Sequence, residues 1–329
     1  MKKKALITGI NGQDGSYLSE LLLEKDYEVY GILKRNSVAE NQTARLDSVY
    51  SVISNNLVYA DMTDMASLVR VLQQIQPDEI YNLAAQSHVR ISFDQPIYTT
   101  NVVALGTLNL LEAMKMICPK ARMYQASSSE CFGNNIDSDG FQRETTPMSP
   151  VSPYGCAKVY GYNIVQNYRK SYNLFASNGI LFNHESNRRG TNFVTSKVAK
   201  EAVKIKYGYS NQLNMGNLNA ARDWGHAKDY VNCMWLILQH HEADDFCCST
   251  GVSHTVKDLV EYVFTSLEMP NWKDLVKVDQ KYMRPEELDV LKGDCSKAKK
   301  SLGWKHEYTF ETMMDEMIEY WKNFYRDKK

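Results

Sequence analysis

Short apolar runs alternate with stretches whose apolar positions recur every three or four residues through the first half of the chain. Ala5-Leu6-Ile7-Thr8 reads as a strand covered on both faces, since an unbroken apolar run leaves no polar side for water. The same reasoning predicts strands over 27–33, 57–60, 79–84, 122–126 and 175–182. Helical spacing predicts helices over 16–25, 64–74 and 101–116, and a further helix carrying Tyr154 and Lys158. Strands alternating with helices give an α/β fold, a Rossmann-like doubly wound parallel sheet. Its ligand crevice lies at the C-terminal ends of the strands, where Gly9, Ala84 and Ser127 emerge.

Beyond 182 the period fades. The stretches 183–195, 217–223 and 283–287 mix arginines, amides and acids without a repeat, as binding loops do. Helices are expected over 196–208, 229–241 and 309–325, and a strand over 246–250 returning to the first sheet. A smaller α/β substrate domain is therefore interleaved with the first. Residues 1–182 with 223–252 form the cofactor domain, and 183–222 with 253–329 the substrate domain.

The 329 residues suffice for two lobes, and a net charge of -1 gives no basic excess for nucleic acid. The basic start meets an apolar run too short for a signal peptide, and no stretch approaches a membrane span of ~18 residues. Seven cysteines are scattered without a CxxC pair, so thiols reduced in a cytoplasm are expected. No HExxH occurs, and no metal is expected.

Candidate chemistry begins at Gly9-Ile10-Asn11-Gly12-Gln13-Asp14-Gly15. Glycines between a strand and a helix permit a tight turn, and the helix N-terminus offers N–H groups to a pyrophosphate. The spacing is GxxGxxG rather than GxGxxG. Lys34-Arg35-Asn36-Ser37 ends the second strand where an NAD site usually carries an acid; a basic fork suits a 2′-phosphate, so NADP is expected. Asp61 ends the third strand within reach of an adenine, and Ala85 and Gln86 sit where small residues let a cofactor pass. Tyr154 and Lys158 share a helix face, so an ammonium can favour the phenolate and lower a pKa ordinarily near ~10. Glu130, two residues past Ser128 at a strand end, supplies a carboxylate to the same crevice. Arg189, Arg222 and Arg284 come from separate loops, as convergent cations for a diphosphate would.

Five blocks carry a specific resemblance: Thr8 to Tyr17, Ser128-Ser129-Glu130, Ser152-Pro153-Tyr154-Gly155-Cys156-Ala157-Lys158, Gly179 to Ser186 (with Asn183-His184-Glu185-Ser186), and Arg222-Asp223-Trp224-Gly225-His226-Ala227-Lys228-Asp229-Tyr230. Together they resemble the GDP-mannose 4,6-dehydratases, extended short-chain dehydrogenases/reductases, from Lys4 to about Trp304.

The resemblance implies that Tyr154 deprotonates the sugar C4 hydroxyl as hydride moves from C4 to NADP, with Lys158 lowering the phenol's pKa and holding the nicotinamide ribose. Glu130 then removes the C5 proton and helps expel the C6 hydroxyl, and Ser128 holds the C4 oxygen. It implies NADP held by Gly9, Gly12, Gln13, Asp14, Gly15, Arg35, Asn36, Ser37, Asp61, Met62, Leu83, Ala84, Ala85, Ser87, Tyr98, Tyr154, Lys158, His184 and Arg189. GDP-mannose would meet Ser87, Ser128, Glu130, Asn183, Val194, Lys197, Arg222, Arg284 and Glu287. A homo-oligomer, tetramer or dimer, is implied through the loop bearing Arg35. The chain departs from the family at Asn187 (usually Pro), Ser196 (commonly Arg) and Cys131-Phe132 (Leu-Tyr), positions that bear on loop shape and selectivity. Open alternatives are a dehydratase or epimerase of another nucleotide sugar, a dehydratase that also reduces its 4-keto product with NADPH, and an NADP-binding regulator.

Overall fold

The computed structural model describes residues 2–36, 42–283 and 285–326; Ser37 and Arg284 lie outside them. The strands in chain order are β1 (Lys4–Thr8), β2 (Glu28–Leu33), β3 (Leu57–Tyr59), β4 (Glu79–Asn82), β5 (Arg122–Ser128), β6 (Phe175–Leu181) and β7 (Asn183–Glu185). They continue as β8 (Leu213–Met215), β9 (Ala221–Arg222), β10 (Trp224–His226), β11 (Asp245–Cys248), β12 (His254–Thr255), β13 (Val276–Val278) and β14 (Val290–Leu291).

The main sheet has seven strands in the order β11-β6-β5-β4-β1-β2-β3, and every neighbouring pair is parallel. The order reverses between β1 and β4, which opens the crevice there. One face packs Leu18 and Leu22 of the helix Gln13–Glu24 with Met234 and Ile237 of the helix Ala227–Gln239. The other face packs Leu68, Leu72, Leu110 and Val165 from the helices Met65–Ile75, Gly106–Ile117 and Pro153–Tyr172. A separate core joins Val198, Leu259, Phe264, Met313 and Trp321 of the helices Val194–Lys206, Val256–Ser266 and Phe310–Arg326.

Three observations amend the sequence reading. The helix expected over 101–116 is divided into Pro96–Thr100, a π-type turn Asn101–Leu105 and Gly106–Ile117. The break lets Gly106 lie against Met62, whose Cβ would stand 2.8 Å from any Cβ placed there. The aperiodic loops contain short strands: β7 pairs β10, and β9 joins β12 and β14. Two or three residues are too few to display a period. The reduced-thiol expectation fails at Cys233 and Cys248, which pair as a disulfide. The helix Ala227–Gln239 lies against the main sheet, with Cys233, Cys248 and Phe246 of β11 in one core, a proximity that spacing alone could not show. Cys118, Cys131, Cys156, Cys247 and Cys295 are thiols. Among the described residues no helix is long and apolar enough to cross a membrane.

Candidate active site

β1 ends at Thr8, whose hydroxyl donates to Asn82 Oδ1 at 2.7 Å and accepts from the N–H groups of Leu83 and Ala84 at 3.0 Å. This ties the ends of β1 and β4 at the point where the strand order reverses. Gly9 follows with φ +68° and with Ala84 Cα 3.0 Å from where its Cβ would stand, so a side chain is excluded. At Gly15 a Cβ would meet Gly9 O at 2.5 Å, which holds helix close to strand. Gly12 caps the helix Gln13–Glu24 with no side chain bonded to its first turn. Open N–H groups and a glycine cradle are the donor set a dinucleotide pyrophosphate requires, so the turn fits a nicotinamide dinucleotide.

A cavity of about 960 Å³ runs from this turn past the strand ends into the second lobe. Its wall includes Gly9, Gly12, Gln13, Asp14, Gly15, Leu83, Ala84, Ala85 and Ser87, then Ser128, Glu130, Tyr154 and Lys158. Asn183, His184, Arg189, Val194, Lys197, Arg222 and Glu287 continue it. Residues assigned from separate parts of the sequence thus share one chamber.

At its centre, Ser128 ends β5 and caps the turn Ser129–Phe132, its Oγ accepting from Glu130 N at 3.2 Å. Glu130 is 7% exposed. The helix Pro153–Tyr172 starts at Ser152, whose Oγ accepts from Gly155 N at 3.0 Å, with proline in the first turn. A Cβ on Gly155 would stand 2.9 Å from the Glu130 carbonyl oxygen, so the missing side chain lets the start of this helix pack against the Glu130 backbone. Tyr154 N donates to Ser92 Oγ at 3.2 Å.

Burial pushes the Tyr154 phenol well above its ordinary value; a hydrogen bond with Ser128 opposes this and the Glu130 charge adds to it. Burial also pulls the Lys158 ammonium down to about 8. Lys158 Nζ donates to Ala126 O at 2.6 Å and stands 5.6 Å from the Tyr154 ring centroid. The expected lowering of the phenol toward neutrality is therefore corrected. Burial sets the direction, and the Lys158 ammonium is hydrogen-bonded to a carbonyl rather than to the phenol.

The Asn183-His184-Glu185-Ser186 segment is latched to the glycine turn. His184 Nε2 lies 2.8 Å from Asp14 Oδ2 and Nδ1 lies 2.8 Å from Phe182 O. Both neighbours are acceptors, so both ring nitrogens carry protons. Burial alone would disfavour each charge, but their mutual attraction holds Asp14 low and His184 high. Gln13 Nε2 donates to His184 O at 3.1 Å and its Oε1 accepts from Ser186 at 2.8 Å. Tyr17 donates to the Oδ1 of Asn187, one of the departures, at 2.8 Å.

Farther in, Lys197 Nζ donates to Asn214 O at 2.5 Å and stands 3.6 Å from the Tyr282 ring centroid. Arg222, 6% exposed, donates to Leu288 O at 3.0 Å and lies 3.4 Å from Glu287 Oε1.

Some assigned residues lie away from this wall. Arg35 and Asn36 are exposed, with Arg35 Nη1 donating to Asn36 O at 2.5 Å. Lys34 joins Asp61 at 3.3 Å and Tyr98 at 2.8 Å in a cluster past β2. Met62 is 4% exposed and belongs to a hydrophobic core. The sequence reading did not single out Thr8, Ser92, Gln212, Asn214 or Tyr282; their signal is positional, through backbone bonds and lining that no motif carries.

A family profile described as GDP-mannose 4,6 dehydratase matches residues 6–317. The Homo sapiens protein named GDP-mannose 4,6 dehydratase is 49% identical, over 95% of this chain and 90% of its own length. The Vibrio cholerae GDP-mannose 4,6-dehydratase is 46% identical, over 97% and 93%. Among solved structures, RMD from Pseudomonas aeruginosa complexed with NADPH superposes with a TM-score of 0.80 at 20% identity, covering 98% of this chain and all of that one, a likeness of fold. The profile spans nearly the whole chain and the identities far exceed what shared fold alone requires, so this chain belongs to the GDP-mannose 4,6-dehydratase family.

Proposed function

We propose that the protein converts GDP-mannose to GDP-4-keto-6-deoxymannose and water, as an NADP-dependent hydro-lyase. The observation that carries this is the placement of Ser128, Glu130, Tyr154 and Lys158 on one chamber wall, continuous with the glycine turn. NADP would be held at the glycine turn and, when bound, would supply a reversible hydride store for the chemistry at C4 and C6. Tyr154 takes the C4 hydroxyl proton, Ser128 holds the C4 oxygen, and Lys158 supplies positive charge beside the ring. The resulting ketone acidifies C5. Glu130 takes that proton and gives it to the departing C6 hydroxyl, which leaves as water; as hydride arrives at C6, C5 takes a proton back, which balances the one Tyr154 removed from the C4 hydroxyl.

The diphosphate and base fall to Asn183, Val194, Lys197, Arg222 and Glu287, with Arg284 assigned from sequence. Residues 1–182 with 223–252 serve the cofactor and 183–222 with 253–329 the substrate, in a cytoplasmic homotetramer or dimer. Mass spectrometry of GDP-mannose incubated with the protein and NADP should show loss of one water. An unchanged substrate mass sinks this reading.

The preference for NADP rests on Arg35, an exposed guanidinium past β2, while Lys34 is engaged by Asp61 and Tyr98. A charge-assisted phosphate contact contributes roughly 1.5–3 kcal/mol, so Arg35→Ala should weaken NADP by about 10- to 100-fold. NAD affinity should move less than about 2-fold, since only the 2′-phosphate meets the fork. Equal losses for both, measured by calorimetry, remove the phosphate clamp.

A further inference from the structure

Among chamber residues with no role above, Glu185 is the most deeply buried acid, 1% exposed at the end of β7. β7 is fixed by its pairing with β10, Glu185 opposite His226. Its Oε2 accepts from Thr195 Oγ1 at 2.5 Å and lies 3.0 Å from Arg189 Nε. A carboxylate so buried would be costly unless paired, and here the partner is one turn of chain away.

Arg189 is held from a second side. Its guanidinium carbon stands 3.7 Å from the Phe193 ring centroid, so the planar group stacks on the ring. Phe193 is in turn braced by His88, with ring centroids 5.2 Å apart. With its charge held beside Glu185 and its plane set against Phe193, the guanidinium has little freedom to turn. Arg189 and Glu185 both line the chamber between the glycine turn and the second lobe. The Arg189 charge also acts on Asp14 of the turn and on Tyr154.

We infer that Glu185 is a positioning residue: with Phe193 it aims the Arg189 fork into the chamber to grip a pyrophosphate oxygen. The gain is preorganisation. A free arginine side chain loses rotamer entropy when it binds, and here folding has already fixed much of it. The inference rests on the reading of the chamber as a dinucleotide and nucleoside-diphosphate site. The pyrophosphate has two sources, the cofactor and the sugar nucleotide, and separate binding arms distinguish them.

The test is a double-mutant cycle on the full-length protein: parent, Glu185→Gln, Arg189→Ala and the double variant. Affinities for NADP and for GDP are measured by calorimetry, and thermal midpoints are recorded alongside. Glu185→Gln and Arg189→Ala should each weaken one ligand by about 10-fold, and the double variant should be no weaker than Arg189→Ala alone. Loss in the NADP arm assigns the fork to the cofactor; loss in the GDP arm assigns it to the substrate. Additive losses, or an unchanged affinity for both ligands in Glu185→Gln, overturn the inference. A merely structural Glu185 would lower the thermal midpoint and keep its effect in the Arg189→Ala background. Should Glu185→Gln fail to fold, Phe193→Leu removes the ring and leaves the ion pair. It should weaken the same ligand as Arg189→Ala by about 3-fold, and no change there overturns the inference. Both arms read binding, so a protein that binds these ligands but releases no water defeats the proposed reaction and leaves the aiming role intact.

Discussion

Tyr154→Phe should lower turnover of GDP-mannose by about 10³-fold or more while the fold survives. The phenol belongs to a residue 8% exposed, at the start of a helix anchored by Ser152 and by Ser92 Oγ on Tyr154 N. None of those anchors involves the hydroxyl. Removing it loses one hydrogen bond, with Ser128, at about 1 kcal/mol of stability. The catalytic loss is larger because a positioned proton acceptor contributes roughly 10²–10⁴-fold, and because nothing downstream begins until C4 is a ketone. Burial holds the phenol's pKa above its ordinary value, so proton transfer has to coincide with movement of charge off C4. Product formation followed by mass spectrometry, with NADP affinity as the control, checks this. A variant retaining a tenth of parental turnover would remove Tyr154 from the proton path.

The second large effect is expected for Glu130→Gln, and it separates the two halves of the reaction. Gln has nearly the same shape, so the packing of a residue 7% exposed is kept. What disappears is the capacity to take and return a proton. Water loss should fall by about 10²–10⁴-fold, with cofactor affinity unchanged, since the glycine turn lies elsewhere along the wall. Substrate deuterated at C5 should keep its label in this variant, because no other assigned group takes the C5 proton. Washout of the label at the parental rate would move the base role to another residue.

Much of this was legible in the sequence because it depends on local chemistry. Unbroken apolar runs report burial on both faces and a period near 3.6 reports burial on one, so the alternation of β1 to β6 with helices could be read directly. Gly9 and Gly15 had to be small for reasons internal to a strand–turn–helix unit. Tyr154 and Lys158 share a face through helix geometry alone. The family blocks likewise sit where chemistry restricts residue choice.

Other features depend on atoms distant in the chain and left no trace in its periodicity. The partner of Asp14 is His184, 170 positions away, and the disulfide joins a helix to a sheet strand. The strands β7 to β10 and β12 to β14 are too short to impose a pattern, so in the second lobe the helices were legible and the strands appeared only as aperiodic loops. The ionisation of Tyr154 went against the sequence expectation for the same reason. Spacing on a helix shows that an ammonium is near, but only the packed chamber determines how much water is excluded, and it is burial that sets the direction of the shift. Sequence by itself fixed which groups are available and which share an element. The tertiary structure decided which of them meet, and how far burial alters their charge, because both depend on contacts between residues the chain order keeps apart.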